Sequence, residues 1–389
     1  MQQVREKLKE GWKISNLGDI AEIKNGKSNT QDAVFDGEYP FFDRSALVKK
    51  SSKFIFDAEA IILPGEGAEF IPKYFKGKFD LHQRAYSIVP DTTKIDGVYL
   101  FYYLFAKRNL FVKKSVGSTV RSLRLPMIQS TPVEFPPLEK QKEITKILLK
   151  IDEDISKTDG IIKQVEKMNG GLIQELLTKG IGHKKFKKTR VGLISEDWKA
   201  VKLNEICNKI TDGTHKTPKY ISEGVPFLRV TDIQNKLIDW DDVKYISKEE
   251  HNELIKRCNP EKGDVLLSKN GTIGIVKIVD WNEEFSIFVS LCLIKPKKEM
   301  VNSVFLSKMI GSDLVLNQAK QRSKQGSVTN LHLEEIRDFD ISLPSIGEQI
   351  KIADILLKMD EKINVYKTIK SKLEILKKGL MQDLLDSEK

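Results

Sequence analysis

Apolar positions alternate at intervals of four and three along one stretch of the chain: Ile144, Leu148, Ile151, Ile155, Ile162, Val165, Leu172 and Leu176, with Thr158 and Asn169 filling the remaining steps. That spacing is a heptad seam rather than a general amphipathic stripe. A second stretch keeps the same register through Ile352, Leu356, Met359, Ile363, Tyr366, Lys370, Leu373, Lys377, Leu380 and Leu384. Its polar members weaken the later part of the seam. Ile147, Leu149, Ile161 and Ile173 flank the first seam, and Ile355, Leu357, Ile369 and Met381 the second, so each stripe has apolar surface to spare. Each pattern predicts a helix of about 40 residues, roughly 60 Å long at ~1.5 Å per residue.

The two helices belong to a larger repeat. With an offset near 208, Pro136 meets Pro344, Gln141 meets Gln349, Asp152 meets Asp360 and Gly171 meets Gly379. Upstream the match is looser: Trp12-Lys13 with Trp198-Lys199, Gly26 with Gly213, Pro40-Phe41 with Pro226-Phe227, Ile62-Leu63 with Leu266-Leu267, and Gly117-Ser118 with Gly326-Ser327. The drifting offset places insertions in the second copy, and a long internal repeat sets the architecture before any chemistry is considered. Short β-type runs punctuated by Gly, Pro, Asn and Asp fill each copy, for example Ala60–Leu63, Tyr86–Val89, Val225–Val230 and Val289–Ile294. Helical stretches are expected around Val98–Phe111 and Ser303–Gln318. The expected class is α+β: two domains with curved, mostly antiparallel sheets, at opposite ends of an antiparallel two-helix coiled-coil spacer, related by a pseudo-twofold repeat. The expected boundaries are 1–136 for the first domain, 137–180 for its helix, 181–344 for a basic linker and the second domain, and 345–389 for the last helix.

Composition sharpens this only in part. The chain has 389 residues, a net charge of +10 and a pI near 9.1. That balance favours a polyanionic partner, although basicity alone does not prove one. No apolar run approaches the ~18 residues of a membrane span. The charged N-terminus lacks a signal core, and Cys207, Cys258 and Cys292 lack metal or redox spacing, so a cytoplasmic protein with idle thiols is expected. The run Thr178–Arg190 carries six basic residues and no acidic one, and reads as a solvated linker ahead of the sharper alternative, a phosphate-contacting arm.

Candidate chemistry lies in the loops. The segments Lys24–Thr30 and Thr211–Thr217 align, and Pro64–Gly67 and Ser268–Thr272 follow equivalent strands. From these and neighbouring loops the candidates are Lys27, Ser28, Arg44, Gln83, Arg84, Arg121 and Arg124 in the first copy. In the second they are Thr211, Asp212, Thr214, His215, Lys216, Arg229, Lys269, Asn270, Arg322, Lys324 and Gln325. Arg, Lys, Asn and Gln read base edges in the major groove, and Ser, Thr and backbone amides suit phosphates. Singly, each is an ordinary surface residue more often than a base contact. Together they stand out because the loops diverge sharply while the apolar scaffold repeats. No P-loop, no G-x-G-x-x-G and no (Asn/Asp)-Pro-Pro-aromatic motif occurs. His82, His183, His215, His251 and His332 do not cluster at ligand spacing, so neither a metal site nor a catalytic one is expected. The triplet Asp242-Val-Lys244 is nuclease-like but is expected by chance in so charged a chain.

Each copy opens with Trp-Lys and Leu17-Gly-Asp-Ile20 or Leu203-Asn-Glu-Ile206. The second continues with Thr211-Asp-Gly-Thr-His215, Gly224-Val-Pro-Phe-Leu-Arg229, Gly263-Asp-Val-Leu-Leu267 and Asn270-Gly-Thr-Ile-Gly274. Both run through Gly-Ser into a heptad helix. This ordered set resembles the specificity subunit of type I restriction–modification enzymes. The first copy departs from it, with Lys24-Asn-Gly-Lys27 and Pro64-Gly-Glu-Gly67 at the two motif loops. The resemblance implies a non-catalytic subunit whose two recognition domains each read half of a bipartite double-stranded DNA site. It implies that the helices set the unread gap and dock two methyltransferase subunits, with restriction subunits joining through them. This chain would bind no cofactor; S-adenosylmethionine, ATP and Mg would belong to its partners. The alternatives are a stand-alone DNA-binding regulator or scaffold and, third, a nuclease with an unrecognised site.

Overall fold

The computed structural model describes residues 9–235, 237–322 and 330–387. It is a mixed α+β structure that divides into two compact units, Met1–Gly160 with Lys367–Lys389, and Ile161–Tyr366. Two 39-residue helices, Leu138–Leu176 and Ile346–Leu384, each begin in one unit and end in the other.

In the first unit, strand Lys13–Asn16 pairs antiparallel with Pro132–Phe135 and clasps the two ends of the globular part. Between them lies one six-stranded sheet, in the order Ala21–Asn25, Ala85–Pro90, Phe56–Pro64, Lys73–Leu81, Tyr39–Phe42, Lys49–Ser51. Only the pairing of Tyr39–Phe42 with Lys73–Leu81 is parallel. The run Ala60–Leu63 is buried along its length because both faces of the sheet are covered. Ile61 and Leu63 join the core under helix Gly97–Ala106, while Ala60 and Ile62 meet Phe42, Phe79 and Leu81 on the other side.

The second unit repeats this plan. Lys199–Lys202 pairs with Asp340–Leu343, and Cys207–Asp212, Leu291–Pro296, Val265–Ser268 and Val276–Ile278 form a four-stranded sheet. Lys244–Ile246, Val225–Leu228 and Ser286–Ile287 form a separate three-stranded one. The difference lies in one strand. The continuous Lys73–Leu81 of the first unit is matched by two short pieces, Val276–Ile278 and Ser286–Ile287, interrupted by residues 279–285. Trp281 in that interruption packs against both Trp240 and Phe285. The strand Lys73–Leu81 itself is not among the β-type runs the sequence announces, because three lysines and a glycine thin its apolar pattern.

The helical stretches expected around Val98–Phe111 and Ser303–Gln318 are present, each as two helices: Gly97–Ala106 and Asn109–Lys114, and Ser303–Ile310 and Asp313–Arg322. The lysines of the basic run are exposed, and its end forms a hairpin: Phe186–Thr189 pairs antiparallel with Gly192–Ser195, and Lys187 Nζ donates to the Glu196 carbonyl at 2.6 Å. Phe186 and Thr189 are half-buried on either side of two exposed lysines, and the turn that follows, with Gly192 at φ 100°, closes the hairpin despite the charge.

Each unit is tied to its long helix by a buried glutamine. Gln141 is fully buried, accepts the Asp96 N–H on Oε1 at 2.8 Å and donates Nε2 to the Pro136 carbonyl at 2.8 Å. Gln349, also fully buried, accepts from Asn302 N at 2.9 Å and donates to the Met300 and Pro344 carbonyls. Asp96 and Asn302 are in turn the N-caps of Gly97–Ala106 and Ser303–Ile310. The repeated glutamine therefore locks the junction between helix cap and long helix. Replacing Gln141 by Leu orphans a buried N–H and a carbonyl, at a cost of roughly 2–4 kcal/mol. A clear fall in the unfolding temperature of the variant is the expected result; an unchanged one would show that water replaces the amide.

The seam positions from Ile144 to Leu176 and from Ile352 to Leu384 are buried or half-buried. The seam lysines have partners. Within the first unit Lys377 Nζ reaches Asp152 and Lys370 Nζ reaches Asp159, both at 2.5 Å, and Tyr102 Oη donates to Asp152 at 2.6 Å. Within the second, Asp360 takes Lys308 and accepts from Asn169 Nδ2 at 3.4 Å. In contrast, Ile147, Leu149, Ile161, Ile350, Leu357, Ile369 and Ile375 are exposed. Ile173 and Ile355 are half-buried, and Met381 is buried in the first unit's core.

Candidate nucleic-acid interface

In each unit the sheet brings the same four loops together. The first follows strands Ala21–Asn25 and Cys207–Asp212, where Gly26 and Gly213 sit against another loop's backbone. A Cβ on Gly26 would lie under 3.0 Å from the Leu81 and His82 carbonyl oxygens, and one on Gly213 equally close to that of Ile287. Neither glycine is needed for a positive φ; both are needed for this approach. Beyond them, Ser28 bridges to His82 and Thr214 to Phe288.

The second and third loops are joined by backbone hydrogen bonds that match one for one. Gly65 N donates to the Arg84 carbonyl and Lys269 N to that of Ser290. Leu123 N donates to the Gly65 carbonyl and Leu331 N to that of Lys269. Bridges then pair Glu66 with Ser122 and Asn270 with Asn330. Glu66 and Asn270 therefore occupy the same place on the two scaffolds, as do Arg84 and Ser290. The fourth loop leaves the parallel strand: His82 N donates to the Phe42 carbonyl, and Phe288 N to that of Leu228. Two residues further on stand Arg44 in one unit and Val230 in the other.

The side chains on this shared frame differ. In the first unit Glu66, only 12% exposed, accepts Arg44 Nη1 on one oxygen at 2.5 Å and Arg84 Nη1 on the other at 2.6 Å. Burial would raise the carboxyl, but the two guanidiniums outweigh it and hold Glu66 below the usual carboxylate range. His82 lies beneath; burial lowers its pKa, and its Nδ1 accepts the Arg84 N–H at 3.1 Å, as a neutral ring must. Arg121, exposed, accepts the Gly67 N–H on its carbonyl, which sets it beside the cluster. Gln83 Nε2 donates to Asn29 Oδ1 at 2.6 Å, and Lys27 is exposed nearby. Ser28 is buried and donates to Asp80 at 2.7 Å. Arg124 is exposed at the start of Leu125–Gln129.

In the second unit a cleft of about 590 Å³ is lined by Asp212, His215, Arg257, Lys269, Asn270, Asn330, His332 and Arg337, among others. Asp212 is its floor: 3% exposed, it meets Arg257, Lys269 Nζ at 3.3 Å and His215 Nε2 at 3.4 Å. Thr211 and Lys269 are buried too, while His215 and Lys216 are exposed and Thr214 Oγ1 donates to the Lys216 carbonyl. The Oδ1 atoms of Asn270 and Asn330 are buried without a hydrogen-bond partner among the described residues. Arg229 is held by its neighbour Asp232 through Nε at 3.1 Å and Nη2 at 2.9 Å. Arg322 closes helix Asp313–Arg322, and Lys324 and Gln325 lie outside the described residues.

Sequence reasoning passed over Glu66, Arg257, Asn330 and Arg337. Glu66 was legible as a motif departure but not as a counter-ion, Asn330 stands four residues past Gly326 in the aligned Gly-Ser loop, and Arg257 and Arg337 come from segments with no Gly-turn signature. Among the described residues no group of His, Cys, Asp and Glu could hold a metal, and no helix is long and apolar enough to cross a membrane. All three cysteines are free and buried, with burial pushing Cys207 and Cys258 up to about 12.

Comparison with known proteins places this frame. The family profile described as the type I restriction modification DNA specificity domain matches twice, over residues 9–167 and 195–375. The chain is 26% identical over 397 residues to the type I restriction enzyme MjaVIII specificity subunit of Methanocaldococcus jannaschii, covering 97% of this chain and 93% of that one. It is 31% identical over 316 residues to the putative MjaX specificity subunit of the same organism, covering 76% and 69%. Among solved structures, the type I restriction–modification S subunit of M. genitalium superposes with a TM-score of 0.64 at 15% identity, over 97% of both chains. A structure from a study of assembly and conformational transition of the type I R-M system gives 0.61, also at 15% identity.

Proposed function

The chain belongs to the type I restriction–modification DNA specificity family, and on that premise we propose that it is the sequence-reading, non-catalytic subunit of an adenine-methylating complex. Each unit reads one half of a bipartite double-stranded DNA target through its loop cluster. The observation that carries this is the pair of loop clusters: one backbone frame, occurring twice, filled with different polar side chains. A shared frame with divergent loops is what two different half-sites require.

The recognition domains span 1–136 and 181–344, and the helices 137–180 and 345–389 pair antiparallel as a coiled-coil spacer related by a pseudo-twofold axis. Supporting this, Asp152 meets Lys377 and Asp360 meets Asn169, partners that exchange under the 208-residue repeat. The exposed flanks of the helices dock two methyltransferase subunits, since a solitary DNA-binding protein has no use for such apolar surface. Those partners carry S-adenosylmethionine, and restriction subunits with ATP and Mg join through them. The exposed Lys27, Arg44, Arg84, Arg121, Arg124, His215 and Lys216 face DNA, whereas Ser28, Thr211, Asp212 and Lys269, being buried and engaged with protein, act by shaping the loops.

The test is the methylome of cells expressing the complex. An adenine-methylated motif with two unlike half-sites around an unread gap is expected; a palindromic motif would sink the reading, because unlike loop clusters cannot read like half-sites.

A further inference from the structure

The Arg44–Glu66–Arg84 cluster is not repeated at the matched positions of the second unit, where it differs as a set. At the three matched positions the second unit carries Val230, Asn270 and Ser290. Two cations and their shared counter-ion are present together in one copy and absent together from the other. A structural ion pair holding the frame would be needed by both copies, since the backbone hydrogen bonds around it are the same. The triad therefore serves something the two units do not share.

Its geometry indicates what. Arg44 is 51% and Arg84 60% exposed, while the carboxylate between them is 12% exposed. Each arginine gives one nitrogen, Nη1, to Glu66 and keeps Nε and Nη2 without a partner among the described residues. A guanidinium is a rigid planar fork with five N–H donors and no acceptor, and its favoured base partner is the O6/N7 edge of guanine. An isolated exposed arginine must give up rotamer freedom to adopt that pose; one hydrogen-bonded to a nearly buried carboxylate is already held. Asn270, at the place of Glu66, is neutral and carries no charge to hold a guanidinium.

We infer that Glu66 is a positioning residue for specificity, which holds Arg44 and Arg84 as a paired fork for guanine edges in the half-site read by the first unit. This rests on the DNA-reading function proposed above. The half-site of the first unit then contains guanine, on either strand, at positions the second half-site does not copy.

The experiment uses the full chain assembled with its methyltransferase subunits, reading both the methylated motif and the methylation rate on oligonucleotides substituted at each guanine. Arg84→Lys keeps the charge but removes the fork, so discrimination for one guanine should fall roughly tenfold to a hundredfold, with the salt dependence of binding unchanged. Glu66→Gln should lower discrimination at the same positions while nonspecific DNA affinity stays equal or rises, since a negative charge has left the surface. The triple change R44V/E66N/R84S should abolish guanine preference in that half-site and leave the other half-site's letters intact. Thermal unfolding of each variant separates loss of fold from loss of reading. Unaltered motif and rates in Arg84→Lys and in the triple variant, or a wild-type half-site without guanine, would overturn the inference while leaving the DNA-reading function in place. A wild-type complex that methylates no defined motif would instead defeat the function itself.

Discussion

Replacing Gly213 by alanine should eliminate methylation by the assembled complex and destabilise the second unit by roughly 3 kcal/mol or more. The new Cβ would fall under 3.0 Å from the Ile287 carbonyl oxygen, from its carbon and from that of Phe288. These are backbone atoms in the parallel pairing of Val225–Leu228 with Ser286–Ile287, so no rotamer change relieves the clash. Relief must come from separating the loop after Cys207–Asp212 from that strand, which also moves Asp212, Thr214 and His215. Gly26→Ala should act alike in the first unit through Leu81 and His82. By contrast, Gly160→Ala, in the first long helix with nothing within 4 Å of its added Cβ, should be neutral or stabilise by up to about 1 kcal/mol. Unfolding temperatures of the three variants, with methylation of a cognate duplex, check this. A Gly213→Ala chain that melts and methylates as the parent does would mean that the close approach is not needed.

These glycines also show how far the sequence could be followed. Gly26 and Gly213 align across the repeat, as do Pro40-Phe41 with Pro226-Phe227 and Ile62-Leu63 with Leu266-Leu267, and the strand partners of each pair match in the fold. The glutamines Gln141 and Gln349 were visible as a repeated letter; their role was not, since it depends on an N–H and a carbonyl that only the folded chain brings within reach. Helices were legible because a 3.5-residue period persists for ten turns. Strand order was not, because pairing joins residues as distant as Ala21 and Pro90, and period-2 alternation does not name a partner. The lysine-rich Lys73–Leu81 strand and the basic hairpin at Phe186–Ser195 were hidden for a related reason: charge read as solvation, yet a strand needs only one face for its apolar residues. At the loops, residue types could be gathered but not sorted. Arg84 and Asp212 look equally polar in a sequence, and only burial separates a side chain that can reach DNA from one that holds its neighbours.

The spacer reading predicts a change of length without a change of letters. If the long helices pair antiparallel, Asp152 with Lys377 and Asp159 with Lys370 give the register of that pairing in the first unit. Four residues inserted after Asp154 alone would leave those pairs out of step. Four residues inserted there and four after Glu374, between the same two ion pairs, keep both. The addition lengthens each helix by ~6 Å and rotates it by about 40°, since four residues slightly exceed one turn. One to two base pairs of DNA span roughly 3.4–7 Å and turn about 35–70° in the same right-handed sense. The doubly extended chain should therefore methylate a motif whose two half-sites are unchanged and whose unread gap is one to two base pairs longer. The singly extended chain should methylate poorly at any gap, because the pairing of seam lysines with aspartates is lost. Methylome sequencing distinguishes the cases. Altered half-site letters with the parental gap would show that the distance between half-sites is not set by the helices, and the antiparallel spacer would have to be abandoned with it.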